Sequence, residues 1–286
     1  MSKLGENHAS LYIVGTPIGN LGDMVPRAIQ VLQSVDYIAA EDTRRAGQLL
    51  AHFSISTPTI AYHDHNESTA SVSLVAKIKE GASIALISDA GMPLISDPGY
   101  SLVRLARDQD IPVIAVPGPS AGILALSASG LPTDKFSFLG FTPAKQSARV
   151  AWYEIQASRE ETLILYESPH RILASLKDAQ SVYGEHREVA VVRELTKKFE
   201  TWYTGTLIEV ISELQTENYG QKGEFVVLIK GAPEQDAEEQ EILRLMQLTI
   251  PELGIKKASA LVAKVLGAKK NRCYQLGLAL NSGQAE

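Results

Sequence analysis

The sequence predicts an α/β protein in which an open, mostly parallel sheet is followed by a mixed α/β unit and a small helical module. Three observations carry that prediction. Through the first 130 residues, short apolar runs alternate with stretches whose apolar residues recur at helical spacing, the rhythm of βαβ units. After Leu131-Pro132-Thr133-Asp134 the alternation resumes, but two strand patterns then follow one another with no helix between them, which predicts antiparallel pairing. From Glu238 onward every pattern is helical. The boundaries placed on this basis are 1–130, 131–233 and 234–286.

In the first unit the predicted strands are Leu11–Val14, Asp36–Ala39, Thr59–Ala61, Ser83–Ile87 and Val113–Val116. Most are apolar throughout rather than alternating, as strands buried on both faces of a parallel sheet are. Helical spacing lies between them, as in Ala28, Ile29, Leu32 and in Leu74, Val75, Ile78. In the second unit, strands are expected at Phe136–Leu139, Thr162–Tyr166, Glu188–Val192, Glu200–Thr204 and Phe225–Ile229. Helices are expected at Gln146–Gln156, Pro169–Tyr183 and Leu207–Leu214. Ser168 followed by Pro169 reads as an N-cap with proline at the first helical position, and Thr206 with Glu209 reads as a capping box. Ala232-Pro233 opens a break, and Glu234, Asp236, Glu238, Glu239 and Glu241 form an acidic linker into two or three short helices.

The 286 residues carry 27 basic and 33 acidic side chains, a net charge of -6, with 45% hydrophobic residues, so a folded chain with a sizeable core is expected rather than a disordered one. One cysteine, Cys273, rules out an internal disulfide or a thiolate metal cluster and fits a reducing, cytoplasmic setting. The uncharged stretch Ile111–Thr133 is interrupted by Pro112, Pro117 and Pro119, so it reads as strand, turn and helix rather than a membrane span. The opening MSKLGENHAS has no apolar leader core.

In an open α/β sheet, ligands bind beyond the carboxyl ends of the strands. Three loops there are unusual. Val14–Asp23 holds Gly15, Gly19 and Gly22 but lacks the G-x-G-x-x-G spacing and the P-loop lysine; a plain strand-to-helix connection explains it equally well. Ser88–Tyr100 is long for a βα loop, and its Asp89 and Asp97 suit either a cationic or hydroxylated ligand or turn formation. Pro117–Gly122 offers small residues and helix N-terminal N–H groups at Ser120 and Ala121. Charged clusters follow three more apolar runs: Glu41–Arg45, Tyr166–Arg171 and Arg193–Glu200. His63 and His65 lack a third convergent ligand, so no metal is expected.

LYIVGTPIGNLGD, AAEDTRR, SDAGMPLISDPG, VPGPSA, YESPHR and RELTKKFE, in that order, resemble the tetrapyrrole-methylase superfamily and, within it, the ribosomal small-subunit RNA 2′-O-methyltransferase I family. The resemblance covers about Leu11 to Ile229, and the tail resembles that family's C-terminal helical domain. It implies a two-domain tetrapyrrole-methylase-like fold, S-adenosylmethionine as cofactor in the cleft between the domains, and usually a homodimer. The implied reaction methylates the ribose 2′-hydroxyl of a cytidine in the decoding region of small-subunit rRNA, with an assembled subunit as partner and neither DNA nor a membrane. Carried over position by position, the cofactor contacts are Gly15, Pro17, Ile18, Asp89, Ala90, Gly91, Met92, Ser120, Ala121, Tyr166 and Leu195. Many superfamily members carry G-D-P where this chain has Ser88-Asp89-Ala90.

Methyl transfer needs oxygen, carbon and sulfur in line, and positioning alone supplies roughly 7–11 kcal/mol in favourable cases. A base that shares the hydroxyl proton adds about 10²–10⁴-fold. The candidates for that base are Glu41, Asp42, Glu167 and Glu194, with Arg44, Arg171 or Arg193 on the adjacent phosphate; a rim network of mutual ion pairs accounts for the same residues. The tail from Pro251 carries Lys256, Lys257, Lys264, Lys269, Lys270 and Arg272 against Glu252 and Glu286, a local +4, which suits either an RNA grip or a solvated helix surface. Two other readings stand beside this one: a tetrapyrrole C-methyltransferase and a non-catalytic RNA-binding assembly protein.

Overall fold

Strands with no charged side chain, flanked by amphipathic helices, settle into the middle of a layer. β1 (Leu11–Val14), β2 (Tyr37–Ala40), β3 (Thr59–Ala61), β4 (Ile84–Ile87) and β5 (Val113–Val116) form one parallel sheet in the order β3-β2-β4-β1-β5. β4 is buried at every residue, whereas the edge strand β3 is exposed at Thr59 and Ala61. One face is covered by α1 (Pro26–Ser34) and α2 (Thr43–His52), around Leu32, Ile38, Leu50 and Ile87. The other is covered by α3 (Glu67–Lys79) and α4 (Tyr100–Asp108), around Leu74, Ile78, Leu86 and Leu102. This computed structural model describes residues 9–216, 222–233 and 237–282.

α5 (Ala121–Ala128) has almost no polar side chain and is drawn onto a second sheet, where Ala125 and Leu126 pack with Ile164, Val192 and Val226. That sheet contains β6 (Phe136–Phe141), β7 (Thr162–Glu167), β8 (Glu188–Arg193), β9 (Thr201–Thr206) and β10 (Phe225–Ile229) in the order β6-β7-β10-β8-β9. Only β6 and β7 run parallel; β8 and β9, the pair without an intervening helix, are antiparallel. The opposite face is covered by α6 (Gln146–Gln156), α7 (Ile172–Tyr183) and α8 (Leu207–Thr216). Between α6 and α7 the Arg149 guanidinium and Asp178 carboxylate meet at 2.6 Å, both nearly fully buried. Arg149 also donates to the carbonyls of Pro143 and Ala144, so the charge is paired and satisfied as burial demands.

Two compact units divide the chain, Met1–Lys230 and Gly231–Glu286. In the second, α9 (Ala237–Leu266) is interrupted at Gly254, whose φ of 71° follows Pro251, and packs with α10 (Lys270–Ser282) over Ile242, Met246, Val262 and Cys273. Of the acidic run, Glu234 and Asp236 lie outside the described residues, as do the first eight residues and Glu286; Glu241 already sits in α9 and pairs with Arg244 at 2.7 Å. No helix among the described residues is long and apolar enough to cross a membrane.

Four local expectations need correction. Asp36 does not begin β2, because its carboxylate accepts from the N–H and hydroxyl of Ser83 at 2.7 and 2.8 Å. Glu200 does not begin β9, because its side chain is held by the Thr196 N–H and the Trp202 indole. Helix α7 starts at Ile172 rather than Pro169: the Ser168 N–H points to the Glu167 carboxylate at 2.8 Å, and Arg171 becomes the N-cap. At Thr206 the hydroxyl donates to Glu209 at 2.7 Å, so the Glu half of the expected box forms while the hydroxyl joins the same carboxylate.

Candidate active site

The carboxyl ends of β1, β4 and β5 deliver three loops that are bound to one another by backbone. Thr16 and Gly91 exchange hydrogen bonds at 2.9 and 3.0 Å, and the Thr16 hydroxyl donates to the Ser88 carbonyl at 3.2 Å. Gly15 and Gly118 lie backbone to backbone: a Cβ on Gly118 would stand 2.5 Å from the Gly15 Cα. No side chain fits there, so Gly118→Ala forces the loops apart. The expected cost is about 1–3 kcal/mol of stability, read by thermal melts.

Across from these loops lie the ends of β6, β7 and β8 and the start of β10. Glu167, 2% exposed, accepts from the Thr142 hydroxyl, from the Ser168 N–H and from Arg171 at 2.8 Å. Tyr166 is packed edge-on by Phe138 and Phe141, and its hydroxyl accepts from the Gly122 N–H at the start of α5 at 3.2 Å. After β8, Glu194 and Thr196 both take left-handed φ values of 54° and 66°, and after β4 Leu94 and Ser96 do the same at 72° and 66°. Such strain in non-glycine residues persists where surrounding contacts enforce it and concentrates at functional sites.

Between the two sets of loops is a cavity of about 340 Å³, within the range of small-molecule sites. Of the residues expected at a cofactor site, Ile18, Ala90, Gly91, Met92, Ser120, Ala121, Tyr166 and Leu195 line it, and so does Glu167. Gly15 stands behind, against Gly118. Pro17 and Asp89 line a neighbouring hollow of about 280 Å³ with Arg45, which pairs with Asp89 at 2.7 Å. Asp42 caps α2 and holds Arg44 at 2.8 Å on the surface, and that pairing keeps its carboxyl well below the usual range. Arg171 sits behind Glu167, and Arg193 and Glu194 line a third hollow. Burial would raise the Glu194 carboxyl, but Lys197 and the Glu224 N–H outweigh it and keep it low.

The cavity also contains Ile95, Ser96, Phe141, Pro169 and the start of β10, which are not among the expected cofactor contacts, and Asp97, for which the sequence leaves a ligand contact or a turn open. Asp97 is the notable one. Burial, then the charge of Glu41, and then Asp89 and Asp64, push its carboxyl up to about 6, against a Ser88 hydrogen bond that pulls it down. Glu41 is itself raised by burial and by Asp89 and Asp64. The sequence signal for Asp97 is an aspartate in an overlong βα loop. Among the described residues no group of three or more His, Cys, Asp or Glu is arranged to hold a metal ion.

In the C-terminal unit, Lys256, Lys257, Lys264, Lys269 and Lys270 are exposed, and Arg272 pairs with Glu239 at 3.0 Å.

Residues 10–211 match the family profile described as Tetrapyrrole (Corrin/Porphyrin) Methylases, and residues 236–281 match the RsmI C-terminal HTH domain. A protein of Vibrio cholerae named "Ribosomal RNA small subunit methyltransferase I" is 53% identical over 94% of both chains. Its namesake from Escherichia coli O157:H7 is 48% identical over 96% of both. The crystal structure of uroporphyrin-III-C-methyltransferase from Thermus thermophilus superposes with a TM-score of 0.55 at 21% identity, over 78% of this chain and 94% of that one. Diphthine synthase gives a TM-score of 0.60 at 13% identity, over 77% and 89%; both likenesses concern the fold alone. By profile, by identity along nearly its whole length and by fold, the chain belongs to the tetrapyrrole methylase family, among the small-subunit ribosomal RNA methyltransferases I.

Proposed function

We propose that this chain transfers the methyl group of S-adenosylmethionine to the ribose 2′-hydroxyl of a cytidine in the decoding region of small-subunit rRNA. The observation that carries this reading is the cavity, in which apolar walls and one half-buried carboxylate, Asp97, face each other across the two sheets. The relatives' printed name supports RNA as the acceptor.

When bound, S-adenosylmethionine supplies a methyl carbon on a positively charged sulfur that is a good leaving group. The lining fits such a molecule. Ile18, Met92, Phe141 and Leu195 offer apolar surface to a nucleoside. The N-terminus of α5, with Ser120 and Ala121, offers N–H groups to a carboxylate. Asp97 brings negative charge toward a cation. Asp97 is also the group we assign to accept the proton of the attacking hydroxyl, since a base near the working pH is the most effective one. Glu41 holds the field that keeps Asp97 basic, while Glu167 and Glu194, whose oxygens are bound within the chain, position the loops.

Residues 1–130 and 131–233 then form the two walls of the site, and 234–286 with its exposed lysines grips phosphate. The reading includes a cytoplasmic homodimer acting on an assembled subunit; sedimentation, and subunits against naked rRNA, test those parts. The decisive experiment supplies methyl-labelled donor with small subunits from cells lacking this protein, or with uroporphyrinogen. Label in an alkali-resistant cytidine of the rRNA is expected. Label in the porphyrinogen, or in neither, overturns the assignment.

A further inference from the structure

The hollow formed by Arg193, Glu194, Phe199, Lys222 and Gly223 has a volume of about 330 Å³ and lies outside the donor cavity. The two are neighbours along the chain in two places: Leu195 and Glu224 line the cavity, while Glu194 and Gly223 line the hollow. Phe199 is 66% exposed, so its ring face is open to a flat partner at the edge of the hollow. Its loop is held firmly. Glu194 bonds Glu224 through both backbone and side chain at 2.9 Å, the Thr196 N–H donates to Glu200 at 2.7 Å, and the Lys197 N–H returns to the Glu194 carbonyl at 2.9 Å. A Cβ on Gly223 would stand 2.6 Å from the Glu194 side chain, so the two loops are in close contact. Positive charge surrounds the ring: Lys198 Nζ lies 5.5 Å from its centroid, and Arg193 and Lys222 form the adjoining wall. Among the described residues three carboxylates lie in these loops, and each is engaged: Lys197 pairs with both Glu194 and Glu224 at 2.9 Å, and Glu200 accepts from the Thr196 N–H and the Trp202 indole, against the four cations Arg193, Lys197, Lys198 and Lys222.

We infer that Phe199 is a stacking platform for an unpaired nucleobase of the RNA substrate, with the neighbouring cations on its phosphates. A rigid exposed ring among basic side chains suits single-stranded RNA, because every base has a face to stack and every nucleotide a negative charge. The shared loops would place that nucleotide beside the one being methylated. This inference rests on the RNA reading above and adds a residue outside the donor cavity.

The test is methylation of small subunits by the full chain carrying Phe199→Ala or Phe199→Trp, with donor affinity measured in parallel by calorimetry. For Phe199→Ala the KM for subunits is expected to rise roughly 5- to 150-fold. Phe199→Trp should stay near wild type, and donor affinity should be unchanged in both. A KM within twofold of wild type for Phe199→Ala, or a parallel loss of donor affinity, overturns the platform while wild-type methylation keeps the parent reading. Absence of label from the wild type overturns both.

Discussion

Asp97→Asn is expected to lower kcat for rRNA methylation by about 10²–10⁴-fold, the worth of a positioned general base. Donor affinity should change by less than about tenfold, since a partly solvated charge interaction contributes about 1 kcal/mol. The pH profile separates a base from a mere charge. Asp97 lies in the field of Glu41, Asp89 and Asp64, with Tyr166 across the cavity feeling its charge and Arg45 moderating Glu41. Burial and those carboxylates hold it near 6, so wild-type kcat/KM should fall as pH drops through about 6, and Asp97→Asn should lose that limb. Asp97→Glu, which keeps the carboxyl at a slightly different reach, should recover part of the rate. Stability should move the other way. A carboxyl raised from its ordinary 3.8 to about 6 binds more protons folded than unfolded between those values, so its contribution to stability falls as pH rises through that window. Asp97→Asn should therefore melt higher than wild type at pH 7.5 and alike near pH 3.5. An unaltered rate and profile in the variant would remove Asp97 from the chemistry.

Much of this site is legible in the sequence because local chemistry announces it. The apolar run ending at Ile87, followed by twelve residues rich in proline, glycine and aspartate, marks the βα loop that builds one wall. The pattern of VAVV then RELTKK, with no helix before the next strand, marks the antiparallel ladder and its charged exit. What stays hidden depends on which strands become neighbours. Asp97 is raised by carboxylates that leave β2, β3 and β4, and those three are adjacent only because of the strand order β3-β2-β4, which no periodicity encodes. Glu167 looks like a free acid at a strand end, yet Thr142, brought alongside by β6, and Arg171 occupy its oxygens. Asp89, expected at the cofactor, also pairs with Arg45, because β2, which leads into α2, lies beside β4. The same long-range pairing misled the local rule at Ser168-Pro169, where the demand of a buried carboxylate for an N–H overrode an otherwise good helix start.

Glu167 and Arg171 give the sharpest contrast to Asp97, because the same residue type is expected to behave oppositely. Glu167 is almost wholly buried with three donors on its carboxylate, while Arg171 keeps about a quarter of its side chain exposed. Removing one partner of such a pair leaves a charge without compensation. Glu167→Ala should lower stability by about 3 kcal/mol, the lower end of the range because Arg171 can still reach water, which corresponds to a Tm drop of roughly 6–12 °C. Arg171→Met should cost as much or more, since the charge left behind is the buried one. Replacing both by methionine should cost less than the sum, because no charge then remains to be desolvated. Glu167→Gln keeps the shape and an acceptor for the Ser168 N–H, so its rate should stay within about tenfold of wild type if Glu167 only positions the loop. A base would behave differently: Glu167→Gln would lose about 10²–10⁴-fold in kcat, measured below its own melting temperature so that the loss is not one of folding. That result would transfer the proton-accepting role from Asp97 to Glu167.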